Sequence, residues 1–218
     1  MQEQLMPFPV PPDRQGIHFI QGDAYASIEA LEGPYDLVIS DPPWQYRAGT
    51  VTSNRKIENH YATGMMDMIV ATLEEAKGVA HPDGCLLVVW CTWPILHEFI
   101  RATEGWAWGP VLTGGAWVKW QDPESPLEPG MGYTWLGDSE PVLVYRVGKP
   151  FRDPSQLLRN AWFSPRRRHS EKPVGWMRQW MRRWVPPVGG RVLDVFSGLA
   201  PAARAAYAEG VEYTGVEL

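Results

Sequence analysis

Residues 191–200 read RVLDVFSGLA, and this stretch decides how the chain is expected to fold. An apolar run ends in the acid Asp194, a turn with Gly198 leads into a helical pattern, and the next apolar run ends in Glu217. Such a unit suits a nucleoside, since the backbone can approach the ligand at Gly198 and Glu217 can accept hydrogen bonds from both ribose hydroxyls. A dinucleotide site is the weaker alternative, because G-x-G-x-x-G is missing and Ala200 stands where a second glycine is expected.

The same alternation of short apolar runs and helical patterns extends along the whole chain. Several runs are continuously apolar, as in strands buried on both faces, which indicates a mostly parallel sheet covered by helices on both faces. We therefore predict an α/β fold: one doubly wound, Rossmann-like domain with about seven strands over residues 17–218, after an extended proline-rich arm over residues 1–16. Long loops, which often carry function on such sheets, are predicted at 47–61 and 121–137. The predicted strands are 17–20, 36–40, 85–91, 116–120, 141–145, 191–195 and 212–216, and the predicted helices are 24–31, 65–79, 94–103, 172–184 and 202–209.

The composition excludes several classes of protein. The chain has 218 residues, 44% of them apolar and 21% charged, which is enough for one sizeable core. No apolar run is long enough for a transmembrane helix, and the N-terminus lacks the basic and apolar regions of a signal peptide. Cys85 and Cys91 form neither a zinc pattern nor a disulfide framework. We therefore expect a cytoplasmic protein with no membrane segment.

The net charge of −5 hides a segregated basic segment. Residues 151–191 hold ten of the twenty Lys and Arg residues but only two acids, Asp153 and Glu171. A basic segment on an otherwise acidic protein is a candidate contact surface for a polyanion. The alternative is a solvated helix face, and the charge pattern alone favours neither interpretation.

Residues 36–44 read DLVISDPPW and carry the strongest chemical signal. An apolar strand delivers an acid, two prolines and an aromatic residue at its carboxyl end, where open α/β sheets bind ligands. The prolines fix the backbone and remove N–H donors, so the turn is rich in acceptors, namely the Asp41 carboxylate and the Pro42 carbonyl. With the flat face of Trp44 beside it, the turn suits an amino group on a planar heterocycle. The alternative is a turn that ends a strand, with a packed tryptophan.

Two further stretches carry weaker signals. Asp23, in Gln21-Gly22-Asp23, is another acid at the end of a predicted strand. Residues 166–173, RRRHSEKP, lead into a helix; Lys172 there can hold a carboxylate or phosphate, and the arginines can follow a nucleic-acid backbone. His169 has no second ligand at metal-binding spacing, so we expect no metal site.

Together these residues resemble the MT-A70 family of S-adenosylmethionine-dependent N6-adenine methyltransferases, over nearly the whole chain. Residues 41–44, DPPW, match the family's catalytic tetrapeptide, and residues 169–173, HSEKP, match its H-S-x-K-P motif. The two motifs in this order are a specific signal. The tetrapeptide precedes the cofactor motif at 194–200, which resembles the circularly permuted arrangement called class β. Weaker matches are 59–65 to H-Y-x-T-M, 86–90 to L-F-L-W, 117–119 to W-V-K and 140–148 to H-E-x-L-L-V…G.

The resemblance implies roles for individual residues. Asp41 and the Pro42 carbonyl would accept the N6 hydrogens, and Trp44 would stack on an adenine flipped out of a duplex. S-adenosylmethionine is the implied cofactor, and no metal is implied. The implied catalytic residues are Asp41, Pro42, Pro43 and Trp44; the implied cofactor residues are Asp23, Asp41, Lys172, Asp194, Phe196, Ser197, Gly198 and Glu217; the weaker substrate-side candidates are Tyr61, Lys119, Glu140, Arg166, Arg167, Arg168 and His169.

The expected function is therefore methylation of adenine N6 in DNA. The same chemistry on RNA is the nearest alternative, and methylation of cytosine N4 is a lesser one. A non-catalytic nucleic-acid-binding partner of another methyltransferase is an alternative of a different class, although such subunits tend to lose residues that are present here, such as Asp41 and Glu217. The sequence leaves open whether the protein is a homodimer or works with a partner subunit.

Overall fold

The structure is a computed structural model, and it describes residues 16–44, 66–120, 138–165 and 171–217. The described residues form eight strands and five helices that follow one another along the chain. In order they are β1 (Ile17–Gln21), α1 (Ala24–Glu29), β2 (Leu37–Ser40), α2 (Met66–Glu75), β3 (Gly84–Trp90), α3 (Trp93–Ala102), β4 (Thr113–Trp120), β5 (Ser139–Gly148), β6 (Ala161–Pro165), α4 (Val174–Trp184), β7 (Arg191–Asp194), α5 (Pro201–Glu209) and β8 (Glu212–Glu217).

All eight strands belong to one sheet, in the order β1-β8-β7-β2-β3-β5-β4-β6. Strand β5 runs antiparallel to both of its neighbours, β3 and β4, whereas every other pairing is parallel. The predicted α/β fold with a mostly parallel sheet is confirmed, and all seven predicted strands are present. None of the described helices is long and apolar enough to span a membrane.

Helices cover both faces of the sheet, as predicted. Helices α1, α2 and α3 pack on one face, where Ile28, Leu73 and Phe99 are fully buried against β2 and β3. Helices α4 and α5 pack on the other face through an aromatic and alanine-rich layer that includes Trp180 and Ala205. Because both faces are covered, every residue of β2 and β3 is buried, which explains why their sequences are continuously apolar.

The eighth strand, β6, is the element that the sequence analysis missed. Its five residues, AWFSP, end in a proline, which cannot donate a ladder hydrogen bond and is common at strand ends and sheet edges. The strand lies at the outer end of the sheet, pairs with β4 alone, and leaves Phe163 exposed. A short, half-solvated edge strand therefore lacks the continuous apolar pattern by which the other strands were found.

The strand order fixes where a ligand site is expected. Strand β7 is followed by β8 on one side of the sheet, whereas β2 is followed by β3 on the other, so the topology switches between β7 and β2. Open α/β sheets bind ligands beyond the carboxyl ends of the strands at such a switch point. We call this side of the sheet the carboxyl edge: it consists of the carboxyl ends of the seven parallel strands and the amino end of β5.

Candidate functional site

Four charged side chains form a continuous row at the carboxyl edge, which we call the ion chain: Asp41, Lys172, Glu140 and Lys119. The Lys172 ammonium lies 2.8 Å from Asp41 Oδ2 and 3.1 Å from Glu140 Oε2. The Lys119 ammonium lies 2.5 Å from Glu140 Oε1. Two acids and two bases thus balance one another, so the ion chain has no net charge.

Four parts of the chain bring these groups together. Asp41 follows β2 directly, and Lys119 lies near the carboxyl end of β4. Glu140 reaches the same edge because β5 is antiparallel, which places its amino end beside the carboxyl ends of its neighbours. Lys172 comes from the segment before α4, and its ammonium lies 5.5 Å from the centre of the Trp90 ring. Cation–π contact with Trp90 therefore adds to the two carboxylates that hold Lys172.

Burial and pairing act in opposite directions on these groups. Burial raises the pKa of Asp41, and the neighbouring Lys172 ammonium only partly offsets that rise. Burial also raises the pKa of Glu140, but Lys172 and Lys119 outweigh it and bring the pKa below its ordinary value. For Lys172, burial lowers the pKa, whereas Asp41 and Glu140 more than compensate and raise it. Lys172 is therefore held as a cation between the two carboxylates.

Within the tetrapeptide, the turn is tight and the aromatic residue is packed. The Pro42 carbonyl accepts a hydrogen bond of 2.8 Å from the Trp44 backbone N–H. The Trp44 side chain is only 4% exposed, its indole N–H donates to the Trp90 carbonyl at 3.1 Å, and its ring meets Phe99 edge-on. The stacking role expected for Trp44 does not fit this placement, because core residues already cover the ring. The packed tryptophan considered as the alternative fits it.

A second group of acids, Asp23, Asp194 and Glu217, lies at the ends of β1, β7 and β8, and we call it the acidic corner. Asp194 is 3% exposed and accepts a hydrogen bond of 3.0 Å from the Tyr213 hydroxyl. Burial raises the pKa of Asp194 to about 7; the Tyr213 hydrogen bond opposes the rise, and the charges of Asp41 and Glu217 add to it. Asp194 pairs with Ile39 in the register of β7 and β2, so Asp41, two residues after Ile39, brings the ion chain next to the acidic corner at the switch point.

The other two acids of the corner bind backbone N–H groups. Glu217 accepts from the Gly198 N–H at 2.5 Å. Asp23 caps α1 by accepting from the Ala26 N–H at 2.9 Å. Gln21 pairs with Glu217 in the register of β1 and β8, so Asp23, two residues on, ends near Glu217. No residue of the acidic corner forms a salt bridge within the part of the chain that the structure describes.

The turn between β7 and α5 uses two left-handed residues. Gly198 has a φ of +51° with open space where a Cβ would stand, and Ala200 has a φ of +50°. An L-residue in this region is strained by roughly 1–2 kcal/mol. Alanine thus keeps the backbone conformation for which a second glycine was expected, and the Ser197 N–H still donates to the Val216 carbonyl at 2.9 Å.

The structure assigns most of the described basic segment to internal contacts. Arg178 and Arg182 both lie 2.6 Å from the Glu209 carboxylate, which ties α4 to α5. Arg183 donates to the Asp153 carbonyl. The arginines of α4 are therefore explained by contacts within the protein. The basic residues of the segment outside α4 stay candidates for binding a polyanion.

Several predicted residues cannot be placed. Tyr61, the loops at 47–61 and 121–137, and the arm over residues 1–15 lie outside the described residues, as do Arg166, Arg167, Arg168 and His169. Among the residues that are described, no group of three or more His, Cys, Asp or Glu side chains is arranged to hold a metal ion. The sequence analysis missed Tyr213, the partner of Asp194, because a tyrosine inside an apolar strand has no signal of its own.

Comparisons with known proteins agree with this architecture. The family model described as MT-A70 matches residues 35–201. The type II methyltransferase M.MunI of a Mycoplasma species is 27% identical over 153 residues, which cover 64% of this chain and 63% of that protein. The chain thus spans less than two thirds of that relative.

Solved structures share the fold at low sequence identity. M1.HpyAVI in complex with S-adenosylmethionine superposes with a TM-score of 0.66 at 18% identity, covering 92% of each chain. TTHA0409 of Thermus thermophilus gives 0.64 at 22% identity, over 94% of this chain and 89% of the other. The cytosine-N4-specific PvuII DNA methyltransferase gives 0.69 at 13% identity, over 94% and 82%.

Proposed function

The chain belongs to the MT-A70 family, and we propose that it is an S-adenosylmethionine-dependent DNA methyltransferase whose target is the N6 amino group of adenine. The observation that carries the proposal is the position of Asp41 and the Pro42 carbonyl: two acceptors, on a turn deprived of backbone donors, at the switch point beside the acidic corner. The similarity to M.MunI, a type II methyltransferase, supports DNA as the polymer.

The acidic corner fits S-adenosylmethionine, which supplies the methyl group as part of a sulfonium cation. Its carboxylates are bonded to neutral donors rather than to cations, so they complement a positively charged ligand. We assign Glu217, at the end of β8, to the ribose hydroxyls and Asp194 to the amino group. The open space at Gly198 lets the backbone approach the ligand without a side chain in the way.

The residues of the ion chain account for activation of the amino group. The N6 lone pair is delocalised into the adenine ring, so the planar nitrogen is a poor nucleophile. Lys172 binds Asp41 through Oδ2, which leaves Oδ1 as the atom to accept one N6 hydrogen while the Pro42 carbonyl accepts the other. These two hydrogen bonds favour a pyramidal nitrogen whose lone pair points away from the acceptors. The remaining contribution to catalysis is the orientation of the amino group for in-line attack on the methyl group. The N6 proton becomes acidic only after the methyl group has been transferred.

Cytosine N4 is the second candidate target. Its amino group has the same chemistry, an exocyclic nitrogen conjugated to a ring, and the same two acceptors serve it. The superposition on the cytosine-N4-specific PvuII enzyme, at a TM-score of 0.69, favours keeping this candidate. Adenine in RNA has the same amino group as adenine in DNA, so only a comparison of the two polymers as substrates separates these candidates.

The test is methyl transfer from labelled S-adenosylmethionine to matched single- and double-stranded DNA and RNA, followed by mass analysis of the nucleosides. We expect N6-methyladenine in DNA, reduced at least about 1,000-fold in Asp41→Ala, because the acceptor acts in the transition state. Asp83→Ala, at an exposed acid on the opposite edge of the sheet, is the matched control and should retain full activity.

Each other outcome changes a defined part of the proposal. N4-methylcytosine would move the target base, and product in RNA alone would move the polymer. Calorimetric binding of S-adenosylmethionine without product on any substrate would favour the non-catalytic partner subunit. Unchanged turnover in Asp41→Ala would refute the role of the tetrapeptide.

A further inference from the structure

Trp93 is exposed at the carboxyl edge, next to the ion chain. It is the first residue of α3 and its side chain is 55% exposed. Among the tryptophans whose side chains the structure describes, it alone is exposed, although the chain is rich in buried tryptophan. An indole left largely in water forgoes the stabilisation that burial gives the other rings. The exposure leaves a large aromatic face open to solvent at the carboxyl edge.

The position of Trp93 is fixed by contacts on both sides of the edge. Strand β3 ends at Trp90, the Cys91 N–H donates to the Pro141 carbonyl at 2.9 Å, and α3 begins two residues later. The indole N–H of Trp93 donates to Ser139 Oγ at 3.0 Å. The ring is thus anchored to the first residue of β5 and does not rotate freely.

Ser139 is also the residue that precedes Glu140 of the ion chain. Consecutive residues of a strand point to opposite faces of the sheet, so Ser139 and Glu140 lie on opposite sides of β5. Trp93 therefore lies at the carboxyl edge on the face of the sheet that α3 covers. Lys172 and Lys119 lie on the other side of the end of β5. A planar group that stacks on Trp93 lies beside the target site rather than inside it.

We infer that Trp93 is a stacking platform for a base that neighbours the target nucleotide in the substrate strand; this rests on the proposed function. A fixed, exposed aromatic face binds any base by stacking, without reading its hydrogen-bonding pattern. The indole N–H is occupied by Ser139, so the ring offers its π-face and not a donor. Trp93 also supplies the aromatic surface that the buried Trp44 cannot.

The first test is steady-state kinetics on plasmid DNA from a host that lacks methyltransferases. We expect Trp93→Ala to raise the KM for DNA about tenfold with kcat nearly unchanged, because stacking is lost in the ground state and transition state alike. Trp93→Phe retains an aromatic face and should restore most of the affinity. Phe151→Ala removes an exposed ring that follows the carboxyl end of β5, at the opposite edge, and should leave KM unchanged.

Ser139→Ala separates stacking from a structural role, because it removes the hydrogen bond and keeps the ring. We expect an increase in KM much smaller than that of Trp93→Ala. If Trp93→Phe and Ser139→Ala both match Trp93→Ala, the hydrogen bond alone is responsible and the stacking role is overturned.

Photo-crosslinking gives a readout that does not depend on methyl transfer. A random pool of single- and double-stranded DNA containing 5-iododeoxyuridine is irradiated with the protein, and the crosslinked peptide is mapped. We expect the peptide that contains Trp93 to be crosslinked. Methylation with an unchanged KM in Trp93→Ala, or DNA bound without a crosslink there, overturns this inference alone. A wild-type protein that neither binds nor methylates DNA overturns the proposed function as well.

Discussion

The ion chain and the acidic corner lie side by side at the carboxyl edge, but their carboxylates are balanced in different ways. In the ion chain, Asp41 and Glu140 share the Lys172 cation, and Glu140 also binds Lys119. In the acidic corner, Asp194 and its two companions are bonded to a hydroxyl and to backbone N–H groups. One half of the edge is therefore neutral as a group, and the other retains negative charge.

This difference matches the two ligands that the proposed reaction needs. A nucleobase is neutral, and a lining without net charge can orient it by hydrogen bonds alone. S-adenosylmethionine has a positive sulfur and a positive amino group, and carboxylates that lack a cation partner complement them. In the proposed function, the neutral half of the edge is therefore the substrate side and the negatively charged half is the cofactor side.

Of the changes that test this difference, removal of the Lys172 cation shared by Asp41 and Glu140 should have the largest effect on activity. In Lys172→Met, Asp41 loses the cation that opposes the rise in its pKa, so the pKa of Asp41 increases further. A protonated Asp41 is a poorer acceptor, and we expect kcat at neutral pH to fall by about 100- to 1,000-fold. The acid limb of the pH–rate profile should move to higher pH, which partly restores activity in alkaline buffer.

The same variant should also lose stability. Lys172 is 8% exposed and loses two carboxylate contacts, but Asp41 is 32% exposed and can take up a proton, so urea unfolding should show a loss of about 1.5–3 kcal/mol. Lys149→Met, at an exposed lysine beyond the end of β5, is the matched control for both measurements. A pH–rate profile that does not move would show that Lys172 does not tune Asp41, and the ion chain would then be structural only.

The second prediction concerns Asp194 and tests the acidic corner. Because the folded-state pKa is about 7 and the unfolded value lies near 4, the folded protein retains a proton between those values that the unfolded chain has lost. The free energy of unfolding should therefore fall as pH rises from about 5 to 7, by up to roughly 1.4 kcal/mol per pH unit, and level off above pH 7.

Asp194→Asn should remove that slope, and urea unfolding of both proteins from pH 5 to 8.5 measures the difference. The amide lacks the negative charge that Asp194 has above pH 7, so in calorimetry at pH 8.5 we also expect affinity for S-adenosylmethionine to fall about 10- to 100-fold. Parallel stability curves for the two proteins would contradict the buried carboxylic acid. Unchanged affinity would exclude Asp194 from the cofactor site.

Much of the edge could be predicted because it depends on local signals. Asp41, Asp194 and Glu217 each lie at the end of a predicted strand, and an acid at the end of a buried parallel strand lies at the carboxyl edge wherever the strand sits in the sheet. The five helices were found from their periodicity for the same reason. Local patterns therefore sufficed for the fold class and for the individual ends of strands.

The pairings across the edge could not be predicted in the same way. Lys172 meets Asp41 from 131 positions away in sequence and Glu140 from 32, and the contact with Glu140 requires that β5 is antiparallel. The burial of Trp44 is likewise decided by Phe99 and the Trp90 carbonyl, which reach it from a helix and a strand far along the chain. Such contacts follow from strand order and helix placement, which the local sequence does not encode.

The smallest effect is expected from the charge pairs between α4 and α5, away from the carboxyl edge. Arg182 and Glu209 are paired as closely as the ion chain, but Arg182 is 45% exposed and the pair lies away from the edge. Arg182→Ala should cost about 0.5–1 kcal/mol of stability and leave kcat unchanged, because an exposed pair contributes little. The salt dependence of DNA binding should also be unchanged, whereas removal of an arginine that binds a phosphate reduces the slope of log Kd against log salt by about 1. If Arg182→Ala reduces the slope by that amount, α4 is part of the nucleic-acid interface. An ion pair within the protein would then not be enough to identify an arginine as structural.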